Sequence, residues 1–321
     1  MSALDLHVAG YGLVTPVAWT ARHHAFLIRA EAAMHSPRAF LDGTGESVEV
    51  LHCPTIDPAE PLAIRLQRLG SEALRDALAT SGQPARGIRA HVCMAEGLDE
   101  PIVATCEEGW SRLGFRFGPR YVGAAGALAA LARATDALAQ GVPAVMVLAV
   151  DSYACPRRLA RHLRRTTRWE TVPPRLSEGA AALLVAKTGR YGRIRFAATA
   201  PGAGSDEDDQ PVDGRAMTQL IRQALDRERG PWGNLFGPFA VDSLRRRSWE
   251  YGMIRNRHGF ALDLETSCLE HSVGRIGAAA GLGHLVYALA CQHHDLLAHG
   301  GRTATWAVSR DGTRGLAVVA P

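Results

Sequence analysis

Six arginines fall within residues 157–168, in the segment PRRLARHLRRTTRW. Arg157, Arg161, Arg164, Arg165 and Arg168 lie on one side if the segment is helical. Such a face is either simply solvated or docks an acidic protein partner by charge steering. Nucleic acid is not expected, because only Trp169, at the cluster's edge, adds an aromatic ring to the charges. A second segment, SVGRIGAAAGLGH (272–284), sets Gly274, Gly277, Gly281 and Gly283 ahead of a long apolar run. Glycines that open a helix let something come close to the backbone. Their spacing is not G-x-G-x-x-G, and no Gly-Lys-Ser/Thr follows, so close helix packing explains them better than a phosphate cradle.

Other reactive side chains are present without the patterns that activate them. No G-x-S-x-G elbow occurs. His293, His294 and His299 stand near Asp295 but lack H-E-x-x-H spacing, so a polar helix end is the simpler reading. Cys53, Cys93, Cys106, Cys155, Cys268 and Cys291 form no C-x-x-C pair. Neither a metal site nor a disulfide framework is expected, and no cofactor is implied. A reduced, cytoplasmic setting fits best.

The remaining composition is ordinary. At 321 residues, with 47% hydrophobic and 21% charged positions, the chain can bury a large core. A net charge of +4 gives no reason to expect nucleic acid. Lys187 is the only lysine, a skew better ascribed to codon composition than to mechanism. The N-terminal MSALDLHVAGYG lacks the basic and apolar regions of a signal peptide. The uncharged run 276–294 raises the membrane question, but it carries three histidines and a glutamine, so a buried helix is expected.

The elements that must hold these residues alternate. LDLHVAGYG reads as a strand, and Leu62 to Ser81 as a helix ended by Gly82. GIRAHVCMAEG is the next strand, 121–141 a Gly/Ala-led helix, and PAVMVLAV (143–150) a strand buried on both faces. EGAAALLVAKTGRYGRIRFAATAP predicts two strands around a turn. After the polar break 202–214 come the helix RAMTQLIRQALDRERG, a strand near NLFGPFAVDS and a poorly patterned stretch. A helix running to about His299 and the strands TATWAVS and GLAVVA complete the chain. Helices alternating with buried strands indicate a layered α/β protein. The helices led by VGAAGALAALARATDALAQG and IGAAAGLGHLVYALACQHHD echo one another, as two related halves would.

Five segments in order resemble β-ketoacyl synthases. VAGYGLVTPV (8–17) is similar to the family's opening strand, Val-Thr-Gly-x-Gly-x-x-Thr-Pro-x-Gly. LQRLGSEALRDALATSG with IRAHVCMAEG resembles its next helix and strand. VPAVMVLAVDS resembles Asp-Val-x-x-x-Gly-Gly, RLSEGAAALLVAK resembles Gly-Glu-Gly-Ala-x-x-x-Val, and HSVGRIGAAAGLGHLVYALA resembles Met-Thr-Gly-His-x-x-Gly-Ala-Ala-Gly. The resemblance implies the thiolase fold: two related halves, residues 1–200 and 201–321, each with a five-stranded mixed sheet, layered α-β-α-β-α in one compact unit. It also implies a homodimer or heterodimer paired through the strand at Arg120, Tyr121, Val122 and Gly123.

The family condenses acyl groups with one cysteine and two histidines. The resemblance sets Ala124 at the cysteine position, Ser243 near the first histidine and Arg275 at the second. Glu270 replaces a lysine, and SRDGTRG (309–315) replaces the Gly-Phe-Gly-Gly-Thr-Asn turn that gates the acyl pocket. An alanine cannot carry a thioester, so a catalytically inactive member is expected. The chain is also shorter than full synthases usually are, which suggests a reduced pocket.

Three roles follow. The first is a protein-interaction scaffold or adaptor, with a secretion effector or spike component as partner. DSLRRRSWEYG resembles a Leu-x-Gly-Glu-x-x-Arg-x-x-Glu-Trp-Gly stretch of degenerate members that accompany type VI secretion effectors. The second is a chain-length-factor-like partner of an active ketosynthase, though those proteins usually keep glutamine where Ala124 stands. The third is an acyltransferase whose nucleophile has moved to Cys106, Cys155 or Cys268; none of these has a neighbouring base in the sequence.

Overall fold

A computed structural model describes residues 6–32, 37–41, 45–163, 175–202, 213–228, 230–239 and 243–321, the side chains of 161, 163 and 243–245 excepted. The first half holds β1 (Leu6–Val14), α1 (Ala21–Arg29), the hairpin β2 (Pro37–Leu41) and β3 (Ser47–Leu51), and α2 (Leu62–Ser81). It continues with β4 (Arg89–Met94), α3 (Glu100–Ser111), β5 (Arg116–Val122), α4 (Gly123–Ala139), β6 (Ala144–Ser152), α5 (Pro156–Leu163) and β7 (Glu178–Ala186). The second half holds β8 (Arg193–Ala200), α6 (Arg215–Arg227), β9 (Trp232–Phe236), α7 (Ser243–Arg255) and β10 (Phe260–Ser267). It closes with α8 (Leu269–Val273), α9 (Ala280–His293), β11 (Thr303–Val308) and β12 (Arg314–Ala320).

The sheet runs β10-β9-β11-β12-β8-β1-β7-β6-β4-β5. Its first five and last five strands follow one plan. Numbered along the chain within each half, the separate β2–β3 hairpin left aside, and read from its outer edge inward, each half runs third, second, fourth, fifth, first. In both, the second strand pairs parallel with the third and fourth, and the fifth pairs antiparallel with its two neighbours. The echo between two Gly/Ala helices thus marks a real structural repeat. The halves are not separate sheets, however: β1 and β8 join them antiparallel through Leu6–Ile194 and His7–Arg193. By strand order β8 opens the second half, ahead of the boundary expected after residue 200.

Alternation along the strands builds the layers. Val145, Val147 and Ala149 of β6 face a central core, while Ala144, Met146, Leu148 and Val150 face an outer one. The central core lies around α4 and α9, which touch strands of both halves. Helices α2 and α3 cover the outer face of the first half, and α6 and α7 that of the second. Five layers result. Being sandwiched explains why α9 is buried from Ala280 to Cys291. Among the described residues no helix is long and apolar enough to cross a membrane.

Glycines set the tightest spacing. A Cβ at Gly10 or Gly12 would overlap the carbonyl oxygens of Ala77 and Ala73, so the bare backbone of β1 lets α2 lie directly on it. Helix α2 ends where expected, with Gly82 at φ 67° donating its N–H to the Leu78 carbonyl. The last helix stops at His293 rather than near His299, and the poorly patterned stretch contains α7 and the edge strand β10.

Candidate functional site

The site begins where β5 turns into α4. Gly123 takes φ 73°, and a Cβ there would come within 2.5 Å of Ser309 Oγ and 2.8 Å of Glu96 Oε1. Ala124 follows, half-buried and offering only a methyl group. The Ala125 N–H, in the first turn of α4, donates to Ser309 Oγ at 2.9 Å. A helix N-terminus lends its free N–H groups to an anion or a developing oxyanion. Here one of those donors is taken by a side chain of the 309–315 turn. That turn is held by Ser309 N–H donating to Thr313 O at 2.8 Å.

The glycine turn packs against this corner. The Ala124 carbonyl lies so close to Gly281 that any Cβ there would overlap it. Gly274 and Gly277 take φ 77° and 56°. A Cβ at Gly277 would overlap Asp151 Oδ2. What the turn receives is therefore a carboxylate of the chain itself. Asp151, at the end of β6, accepts from Ala278 N–H at 3.0 Å and Ser152 N–H at 2.8 Å. The Arg158 guanidinium donates to both Asp151 oxygens, at 2.7 and 2.9 Å, and lies 5.3 Å from the Tyr153 ring centre. Asp151 and Arg158 are both largely buried.

Arg275 is buried in the same neighbourhood, with Nη1 3.4 Å from His162 Nε2. Its backbone accepts from Ser177 N–H and donates to Arg175 O. Glu270 is buried, its Oε1 accepting from Ile276 N–H at 3.3 Å. The structure therefore brings Ala124, Arg275, the glycine turn and the 309–315 turn to one corner. Ser243 opens α7 in the outer layer of the second half, and its side chain lies outside the described set.

The arginine cluster divides. Arg157 is exposed on α5, Arg161 is described only in its backbone, and Arg164, Arg165 and Arg168 lie outside the described residues. The sequence reading passed over Arg158, the arginine that turns inward. Its signal was an acid in VLAVDS at the end of an otherwise apolar strand, seven residues earlier.

Burial disfavours the thiolate at Cys93 and Cys106. Cys106 sits between α2 and α3, donating to Ala63 O at 3.4 Å, and burial pushes its thiol up to about 12. Cys93 lies beneath α4, donating to the Gly123 carbonyl at 3.0 Å; burial raises its pKa, and Asp151 and Glu96 raise it further. Cys155 precedes α5, and Cys268 is buried just before α8. His284, inside α9, is held neutral by burial, with its pKa lowered to about 4 and Nδ1–H on the Ala280 carbonyl. Among the described residues no cluster of three or more metal-ligating side chains forms.

Strand β5 is one outer edge of the sheet. Arg120 on it is braced by Glu100 and Glu107 of α3, both at 2.7 Å, and Val122 is 54% exposed. Tyr121 is half-buried with its ring 5.9 Å from His91.

No family model and no curated protein matches the sequence. Solved structures do match. One is described as the ishigamide ketosynthase/chain length factor, with a TM-score of 0.74 and 18% identity over 98% of this chain and 99% of that one. The ketosynthase from module 6 of the bacillaene synthase of Bacillus subtilis 168 gives 0.76 and 14%, over 98% and 71%. A ketosynthase in complex with its chain length factor from Xenorhabdus doucetiae gives 0.75 and 14%, over 99% and 98%. Identities this low speak to architecture alone, and in architecture this chain has the thiolase-like fold of ketosynthases and chain length factors.

Proposed function

We propose that the chain is a catalytically inactive, ketosynthase-like subunit that acts by binding protein. The observation carrying this reading is the start of α4. Ala124 supplies no nucleophile, and the Ala125 N–H beside it is spent on Ser309. Buried charge strengthens it, since the Arg158–Asp151 pair and Arg275 occupy the corner around the glycine turn. A partner is reached through the open sheet edge at β5, along Arg120, Tyr121 and Val122, with Gly123 following at the start of α4. Such an edge joins a second thiolase-fold chain, identical or related. Two of the similar structures are described as pairing a ketosynthase with a chain length factor, which supports a heterodimeric, chain-length-factor-like role.

The adaptor role, with a secretion effector or spike component as cargo, draws on the DSLRRRSWEYG stretch. From Ser243 onward that stretch forms α7, which buries Trp249 in a stack 5.4 Å from Trp306 and leaves Tyr251 and Ile254 exposed. Its tryptophan packs, and its outer face is free to bind. Native co-purification from the host, read by mass spectrometry, separates the two roles. An intact ketosynthase with its acyl carrier supports the subunit role, and a secretion component without carrier supports the adaptor. Recovery of the chain alone as a monomer contradicts both.

A further inference from the structure

The second half of α9 faces a row of polar side chains in an otherwise apolar layer. On β11, Thr303 and Thr305 pair with Val319 and Ala317 of β12, both in the central core, while Ala304 and Trp306 point to the outer core. On β9, Asn234 is the register partner of Thr303, and Phe236 is that of Thr305. Phe236 meets Tyr287 of α9, with 5.5 Å between ring centres. Asn234, Thr303 and Thr305 therefore stand on the sheet face that α9 covers. Gln292 joins them from the last turn of α9. A Cβ at Gly192 would meet both Gln292 Nε2 and Ala320 O, and Ala320 follows Val319, the partner of Thr303.

Four atoms of this seam share one property. Asn234 Oδ1, Thr303 Oγ1, Thr305 Oγ1 and Gln292 Oε1 are buried and find no hydrogen-bond partner among the described residues. Asn234 cannot turn its oxygen away freely, because its Nδ2 donates to His299 O at 2.8 Å. A buried polar atom costs stability unless it is paired, and native interiors leave few of them unpaired. Two of the four are amide oxygens that only accept, and two are hydroxyls that both donate and accept. Side chains opposite one another on adjacent strands stand about 4.8 Å apart, a span that a single water bridges between Asn234 and Thr303.

We propose that a short chain of ordered waters is built into this seam. One bridges Asn234 Oδ1 and Thr303 Oγ1, and the chain continues to Gln292 Oε1 and Thr305 Oγ1. The end of α9 is thereby held to β9 and β11 through water, whereas its start packs directly on Ala124.

A high-resolution crystal structure of the full chain reads the site directly. Discrete density is expected within hydrogen-bond reach of both Thr303 Oγ1 and Asn234 Oδ1. Urea unfolding of Thr303→Val and Thr305→Val gives an independent sign, because valine keeps the shape and removes the hydroxyl. In a hydrated seam each variant strands its former partners and lowers the midpoint; in a dry one each deletes an orphan and raises it. Thr303→Val combined with Gln292→Met is expected to lose less than the two single losses together, since side chains that share no direct bond share the water chain. A seam without ordered density, a direct Thr303–Asn234 bond, a raised midpoint in either threonine variant, or strict additivity would each overturn the proposal.

Discussion

The corner at the start of α4 is built from single residues whose roles are separable by substitution. Gly277 combines a left-handed backbone with a carboxylate where its side chain would be. Gly277→Ala is therefore expected to destabilise the protein by about 2–4 kcal/mol, from strain plus displacement of Asp151. Urea midpoints compared with those of Gly300→Ala, which has open space around it, would show the contrast. A second pair lies fully buried nearby: Arg65 Nη1 donates to Glu178 Oε1 at 2.9 Å, and Ser152 and the Cys53 N–H also donate to that carboxylate. Glu178→Leu should cost about 3–5 kcal/mol by stranding the guanidinium, and adding Arg65→Met should recover much of that loss. If the double variant were no more stable than E178L, the buried pair would not be the cause. Asp76 gives a pH signature. Desolvation raises its carboxyl to about 6, although Leu13 and Ala21 N–H groups both donate to Oδ2. Its folded value lies above its unfolded one, so the ionised carboxylate costs stability above pH 6, and the cost fades as pH falls toward 4. Asp76→Asn keeps one oxygen for both donors. It should stabilise by about 1 kcal/mol at pH 7.5 and gain nothing at pH 4, as read by chemical denaturation at both pH values.

At the scale of elements, the long helices and buried strands were legible because periodicity there coincides with packing. Helix α2 carries leucines at helical spacing and a left-handed glycine stop, and β6 is apolar at nearly every position because both its faces are covered. Helices α3 and α7 and strand β10 are not announced by the sequence, and all three lie in outer positions, whereas β5 is located only by the resemblance. Their patterns are diluted by exposed polar residues, as in β10, where only Phe260 is buried. The last helix was drawn too long because apolar residues continue past His293 into the loop at Leu296 and Leu297. The corner was legible only through the resemblance. The resemblance located Ala124 and Arg275, but Asp151 and Arg158 meet across seven residues of turn and helix start, a contact no periodicity announces. Edge strand β5 yields a prediction of its own. If the proposed dimer pairs through β5, Val122→Asp, at a 54% exposed position, is expected to leave the protein monomeric in sedimentation and to remove the concentration dependence of its unfolding midpoint. An unchanged dimer would remove β5 from the interface.

The whole molecule is a repeat closed on itself: two halves with one strand order, one seam between β1 and β8, and two buried helices between them. In this arrangement both central helices begin at the same corner, where Gly281 of α9 meets Ala124 of α4. A fold that converges two helix starts on one point is suited to catalysis at that point. Here the point holds a methyl group, a serine-capped amide and a buried ion pair. On the proposed reading the chain acts through its surface, above all the open edge at β5. Native mass spectrometry of the protein, purified from its own host and then exposed to an acyl thioester, tests that account most directly. The account predicts a complex of this chain with a second polypeptide, in which this chain keeps its unmodified mass. A monomer, or a covalent acyl adduct on this chain, would contradict it.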